Sequence, residues 1–298
     1  MAQDGSGDFK SIQAAVDAAK SFPDKDIRIF IDAGIYREKV VVGEWNTRLS
    51  LIGAGRDETI IRWNDHFEKM QRGRNSTFLT ASLSVEANDF YASDLSVENS
   101  AGQVGQAIAL SVNGDRVLFE RVAVRGNQDS LYVAGEKNRV LFRNCHIEGT
   151  VDFIFGGALA VFDSCRIHSL GDSYITAAST VEGQAAGLVF INSALTAGPG
   201  VSKVFLGRPW RPHAQTVFLN CSMEDHILPA GWNDWDKPQA QETVLYAEFE
   251  SSGPGAAPEE RVSWSKQLSA VEAKKFFPGT LLVKPGEPEW FRARSKFD

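Results

Sequence analysis

What this chain of 298 residues lacks narrows its reading first. Long apolar runs are missing: no stretch approaches the roughly 18 uninterrupted apolar residues of a membrane span, so no membrane partner is expected. A basic excess is missing as well. With 31 Lys and Arg against 38 Asp and Glu, the formal net charge is −7, which argues against a nucleic-acid backbone as partner and predicts long-range repulsion of a polyanion. The opening "MAQDGSGDF" has neither the basic start nor the apolar core of a secretory leader. That pattern fits a cytoplasmic protein, or a mature form to which Met1 was added. Cysteine is scarce: Cys145, Cys165 and Cys221 make an odd count that by itself assigns no redox compartment. The rest is ordinary for a globular protein, with 43% hydrophobic and 23% charged residues.

What the sequence does contain is a repeat. "VLFERVAV" (117–124), "VLFRNCHI" (140–147), "AVFDSCRI" (160–167), "LVFINSAL" (188–195) and "TVFLNCSM" (216–223) share one form, with "YASDLSV" (91–97) a degenerate earlier copy. Their anchors Phe119, Phe142, Phe162, Phe190 and Phe218 recur every 20 to 28 residues. Each copy alternates apolar and polar residues with β-branched and aromatic enrichment, which reads as a short strand. Gly, Asn and Asp clusters between copies read as turns. A strand at that period, with no room for a long helix, predicts a parallel β-helix with one coil per repeat. A β-sandwich is the alternative, but its strands would recur about every 8–12 residues. "DFKSIQAAVDAAK" places Ile12, Ala15, Val16 and Ala19 on one helical face and predicts an N-terminal capping helix. "LSAVEAKKFF" predicts a short helix at the other end. No linker separates these parts, so residues 1–298 read as one domain.

Cys145 and Cys165 each follow their Phe by three residues, so they share a register on successive coils. Strands stacked about 4.8 Å apart lie within disulfide reach. A Cys145–Cys165 bridge with Cys221 free, and a ladder of three buried thiols, both fit.

In "GTVDFIFGG" (149–157) Asp152 sits among Val151, Phe153, Ile154 and Phe155, surroundings that an ionised carboxylate avoids unless it is paired or used. Asp152 follows Phe142 by ten residues, and Asp129 of "GNQDSLY" follows Phe119 by ten, so the two share a register on adjacent coils. Gln106 lies another 23 residues back. The solenoid should therefore stack Gln106, Asp129 and Asp152 in a column. Two carboxylates that close split their pKa values, giving a nucleophile or base beside an acid. Asn and Asp ladders that only satisfy turn backbones remain the alternative.

Six ordered blocks, "GIYREKV" (34–40), "GQAIAL" (105–110), "QDSLY" (128–132), "GTVDFIFGG", "FLGRPW" (205–210) and "PAGWNDW" (229–235), resemble the signature blocks of pectin methylesterases. The resemblance spans about residues 4 to 264. It implies a right-handed parallel β-helix that hydrolyses the methyl ester of galacturonate units in pectin. On the matching positions, Asp152 would be the nucleophile and Asp129 the acid that protonates methanol and then activates water. Gln106 and Gln128 would donate to the oxyanion, and Arg208 would hold Asp152 ionised. Trp210, Trp232, Phe155 and Tyr132 would meet the sugar, with Trp235 a weaker candidate. Tyr36 and Glu38 read as structural. Three departures stand out: Ser130 where the family has Thr, no Gln after "TA" in "YITAAST", and Gly157 where Asn is frequent.

The resemblance implies no metal and no other cofactor, a monomer acting on methyl-esterified homogalacturonan, and a secreted or periplasmic location. Two carboxylates about 5 Å apart would also suit a retaining glycosidase, but that chemistry needs no paired glutamines at a carbonyl. A lyase of this architecture would want clustered carboxylates for Ca²⁺. A carbohydrate-binding solenoid would keep the aromatics without aligning the acids. The net charge adds one expectation: affinity should weaken as esters are removed, and salt should relieve it.

Overall fold

Each repeat folds into one turn of a right-handed solenoid in the computed structural model, which describes residues 1–294. Residues 295–298 of the expected domain lie outside the described residues. The turns stack into three parallel sheets of ten, eight and seven strands, and each strand bonds to its equivalents one coil before and after. Phe119, Phe142, Phe162, Phe190 and Phe218 are aligned partners, as their spacing predicts. Their rings stack face to face inside the solenoid, with centroids 4.5 to 4.9 Å apart.

The residue two after each Phe makes the bend into the next sheet. Arg121, Asn144, Ser164, Asn192 and Asn220 all adopt left-handed backbone there, with φ between 51° and 56°. Asn tolerates that region better than most residues, which is why the turn clusters are rich in it. The following cysteines point inward, and Cys145, Cys165 and Cys221 are buried free thiols whose Sγ atoms approach backbone carbonyls. The ladder reading holds and the bridge does not form.

The strand run "VLF" is apolar at three successive positions because both faces of the ten-stranded sheet are covered. Val117 and Phe119 enter the core, while Leu118 faces outward into a second cluster with Leu141, Val161 and Val189. That outer face corrects the expected position of the C-terminal helices. Ala270–Ala273 does form, with a Ser269–Glu272 capping box, but the tail does not close the end of the solenoid. It runs along the flank, where Phe276, Leu282, Trp290 and Phe291 cover the outer row. The last strand, Lys266–Gln267, is two exposed polar residues that blunt the sheet edge.

At the N-terminus the helix Ile12–Asp17 buries Ile12, Ala15 and Val16. Glu38 accepts hydrogen bonds from the Ile12 and Gln13 amides at 2.8 and 2.9 Å, and buried Tyr36 donates to the Asp32 carbonyl. The structural reading of "GIYREKV" stands. No described helix is long and apolar enough to cross a membrane.

Candidate active site

Ser111, Tyr132, Phe155, Ala177 and Arg208 are aligned partners on successive strands of the seven-stranded sheet. Their side chains therefore form one row on its outer face. Asp129 and Asp152 stand in the turns just before the strands Leu131–Val133 and Ile154–Gly156. Both have left-handed backbone, φ 62° and 48°, a conformation that occurs more often where a site imposes it. The Asp129 amide donates to the Val151 carbonyl at 3.0 Å and the Asp152 amide to the Tyr174 carbonyl at 2.9 Å. The two turns are thus vertical neighbours, as their shared register predicts. Gln106 does occupy the coil before, but pairing there follows Leu110 with Leu131, so the column slips by two residues at that step.

Arg208 lies two coils beyond Asp152, a backbone separation of roughly 10 Å. Its side chain crosses that gap over Ala177, the smallest residue in the row. The guanidinium grips the carboxylate at both ends, Nε to Oδ1 at 2.9 Å and Nη2 to Oδ2 at 2.6 Å. Tyr174 and Trp235 sandwich it, with ring centroids 4.0 and 3.7 Å from the guanidinium carbon. Charge-assisted, bidentate and stacked, this contact fixes Asp152 in one orientation.

The two acids differ in what surrounds them. Asp129 is pushed up to about 8, first by burial and then by the Asp152 charge, with Arg208 pulling the other way. Burial also raises Asp152 above the ordinary carboxylate range, and the Arg208 hydrogen bonds and charge offset part of that rise. Arg208 does lower Asp152, as expected of an adjacent guanidinium, but the carboxyl is buried and desolvation outweighs the cation. The guanidinium fork marks Asp152 as the carboxylate of the pair, beside an acid that holds its proton up to about 8.

Gln106, Gln128, both acids, Arg208 and Trp210 line one cavity of about 480 Å³, within the size of sites that hold a drug-sized ligand. Phe155 forms its floor and contacts Trp210 with centroids 5.7 Å apart. Tyr132 stacks on Phe155 at 4.8 Å and meets Phe78 at a tilt at 5.1 Å, so it backs the wall without lining the cavity itself. Trp232 is not at the site. It is 1% exposed and packs in the solenoid core between Phe218 and Tyr246. Trp235, three residues on, takes the groove position, because Gly207 bridges to Trp232 and draws that residue inward.

Sequence reasoning passed over the turn at Gly73–Leu79, which brings Arg74, Asn75, Thr77 and Phe78 to the cavity, and also Tyr174, Ala177 and Arg211. Only the basic "RGR" in an acidic chain hinted at the first of these. Of the departures, Ser130 is buried and donates to the Asn127 carbonyl, holding the turn before Asp129. The Gly157 carbonyl accepts from Gln184, and the Ala178 that follows "TA" is buried in the core. Among the described residues, no cluster of three or more His, Cys, Asp or Glu is placed to hold a metal ion.

The family model described as Pectinesterase matches residues 1–284. A pectinesterase of Arabidopsis thaliana is 38% identical over 288 residues, covering 92% of this chain and 74% of that protein. Other Arabidopsis thaliana relatives, named as pectinesterase/pectinesterase inhibitor proteins, are longer, and the chain spans about half their length. Among solved structures, the pectin methylesterase from carrot superposes with a TM-score of 0.91 at 36% identity, covering 98% of this chain and 94% of that one. A pectin methylesterase in complex with a hexasaccharide superposes with a TM-score of 0.80 at 29% identity, covering 97% of each chain.

Proposed function

The chain belongs to the pectinesterase family, and from that premise we propose that it is a carboxylic ester hydrolase that removes methyl groups from methyl-esterified galacturonate units of pectin, releasing methanol. What carries the reading is one arrangement: a carboxylate clamped by Arg208 beside a second, protonated carboxyl, with two glutamines in the same cavity.

Asp152 attacks the ester carbonyl carbon through an oxygen lone pair that Arg208 leaves free. The carbonyl oxygen becomes an oxyanion, and the Gln106 and Gln128 amides donate to it. Each such donor contributes about 10²–10³ in rate. The tetrahedral intermediate collapses as its bond to the methoxy oxygen breaks and Asp129 gives that oxygen its proton. Methanol leaves and the galacturonoyl group remains on Asp152 as an anhydride. Asp129, now ionised, takes a proton from water, whose oxygen attacks the galacturonoyl carbon. The second collapse frees the galacturonate and restores Asp152 as a carboxylate and Asp129 as an acid. The new carboxyl leaves with the remaining proton of that water and gives it up to bulk solvent, which completes the balance.

Trp210 and Phe155 offer faces on which pyranose rings stack, with Tyr132 supporting Phe155 from behind. The domain works as a monomer on homogalacturonan outside the cell, secreted or periplasmic. The test incubates the protein with highly methylated pectin and measures methanol, new reducing ends and unsaturated products together. Methanol alone, with turnover by Asp152→Asn lowered about 10⁴-fold or more and its far-ultraviolet circular dichroism unchanged, supports the assignment. Reducing ends or ultraviolet-absorbing products without methanol would reject it in favour of a glycosidase or lyase.

A further inference from the structure

We propose that Asn99 is a positioning residue of the esterase: its buried amide ties together the bases of two irregular loops that wall the cavity, and so fixes Gln106 where the oxyanion develops. This deepens the esterase reading and rests on it.

Gln106 belongs to no strand. It lies between the strands Ser96–Asn99 and Leu110–Val112, where no sheet ladder sets the backbone. A second irregular stretch, residues 66–79, brings Arg74, Thr77 and Phe78 to the same cavity. An oxyanion donor acts at full strength only if it is held in place before the charge forms. In loops without a ladder, side chains must supply that rigidity by meeting the backbone groups that strands would have paired.

Asn99 meets them at the ends of both loops. It closes its strand and is 4% exposed. Its Oδ1 accepts from the Ala101 amide at 3.0 Å, and its Nδ2 donates to the Ile108 carbonyl at 2.9 Å, so one side chain spans the loop that carries Gln106. Nδ2 also donates to the Asp65 carbonyl at 2.8 Å and reaches the Thr80 carbonyl at 3.4 Å, the two residues that bracket the other loop. Thr80 is fully buried and links the loops a second time. Its Oγ1 accepts from the Ile108 amide at 2.9 Å and donates to the Thr77 carbonyl at 2.7 Å. The Phe67 amide donates to the Gln106 carbonyl at 2.9 Å, and the next amide, Ala107, donates to the Gln128 carbonyl at 3.1 Å. Both glutamines therefore belong to one hydrogen-bonded frame with Asn99 at its centre. Lys39 braces the frame from outside, donating to the Asp65 carboxylate at 2.8 Å and to the Leu79 carbonyl at 2.7 Å.

The chemistry demands an amide at this position. An aspartate keeps the acceptor but loses both donors and turns a charge toward three carbonyl oxygens. Alanine leaves every one of these backbone groups unpaired in the interior.

The experiment compares wild type with Asn99→Ala, Thr80→Val and Thr80→Ser, each alone and combined with Gln106→Ala. Methanol release from highly methylated pectin gives kcat and KM, thermal melting gives Tm, and hydrogen exchange read by mass spectrometry follows peptides across the chain. Rates are taken well below each variant's Tm. Thr80→Val keeps the shape and removes the hydroxyl, so the test survives should Asn99→Ala fail to fold. Asn99→Ala should lower kcat about 10²-fold, the scale of an ångström-sized misplacement, with KM little altered. Thr80→Val should lose part of that, and Thr80→Ser, which keeps the hydroxyl, should recover most of it. In the Gln106→Ala background the same substitutions should cost less than about threefold, because residues that act through one another are not additive. Exchange should rise about tenfold or more in residues 66–79 and 100–108 together, and stay unchanged in the other coils. Equal losses with and without Gln106, or a loss confined to KM or to Tm, overturn the proposal. Absence of methanol from wild type would reject the esterase reading alone, because exchange in the two loops still decides whether Asn99 holds them as one frame.

Discussion

Asp129 and Asp152 are one residue type in one kind of turn, and what sets them apart comes entirely from their neighbours. Asp152 has a guanidinium at both oxygens; Asp129 has burial and the Asp152 charge against it. If Asp152 must be ionised and Asp129 protonated, kcat/KM follows a bell in pH. The acid limb falls as Asp152 takes a proton, and the alkaline limb falls as Asp129 loses its own near 8, which initial rates across pH will show. The same raised pKa bears on stability. The folded chain keeps a proton on Asp129 that the unfolded chain, with a value of about 3.9, has released. The contribution of Asp129 to stability therefore declines as pH climbs from about 4 to about 8. Asp129→Asn removes that titration, so its Tm should exceed wild type by a few degrees at the top of the window and converge with it at the bottom. A scan of Tm against pH for both proteins checks it.

At the scale of the element, the strand pairing decides who can reach whom. Arg208 serves an acid two coils away only because the intervening position in its row is Ala177. A leucine there would stand in the path of the guanidinium and crowd Phe155, while leaving undisturbed the solenoid's main core, to which Ala177 does not belong. Ala177→Leu should lower kcat roughly 10²-fold, the scale of an ångström-sized misplacement. It should also move the acid limb of the pH profile upward, because Asp152 loses the contact that offsets its burial. A drop in rate with an unmoved acid limb would mean that the leucine blocks substrate instead. Pairing also explains why the tryptophans of "GWNDWD" part company: the bridge from Gly207 fixes Trp232 inward beside Phe218, and Trp235 turns up over Arg208.

Across the whole molecule, the ten-stranded sheet must be covered on both sides. The solenoid core takes the Phe ladder, and the C-terminal segment takes the outer row of Leu118, Leu141, Val161 and Val189. Trp290 fastens that segment with a hydrogen bond from Nε1 to the Leu282 carbonyl at 2.8 Å. Phe276 packs in the same cluster, and Phe276→Ala should cost about 3–5 kcal/mol of stability, read by urea denaturation. Because the active cavity lies on a different sheet, kcat under folding conditions should stay near the wild-type value. A large loss of kcat at unchanged stability would mean that the flank and the site are coupled.

The one-dimensional pattern determined the coil. The spacing of five Phe anchors, the left-handed turn residues after them and the shared register of Asp129 and Asp152 all follow from a period that any stacked parallel strand must obey. The cavity-lining glutamines and Arg208 were legible too, because their blocks carry them in order. Only the folded chain decided what lies between coils of unequal length. The turn at Gly73–Leu79 adds Arg74 and Phe78 to a cavity whose other walls lie far along the sequence, and no periodicity reports where an irregular loop lands. Trp232 and Trp235 sit in a stretch without strand alternation, so only packing could tell core from groove. The tertiary structure likewise set the electrostatics: burial outweighs Arg208 at Asp152, and an acidic chain brings Arg74, Arg208 and Arg211 to one cavity, because charge acts through local distance and dielectric and the residue total carries neither.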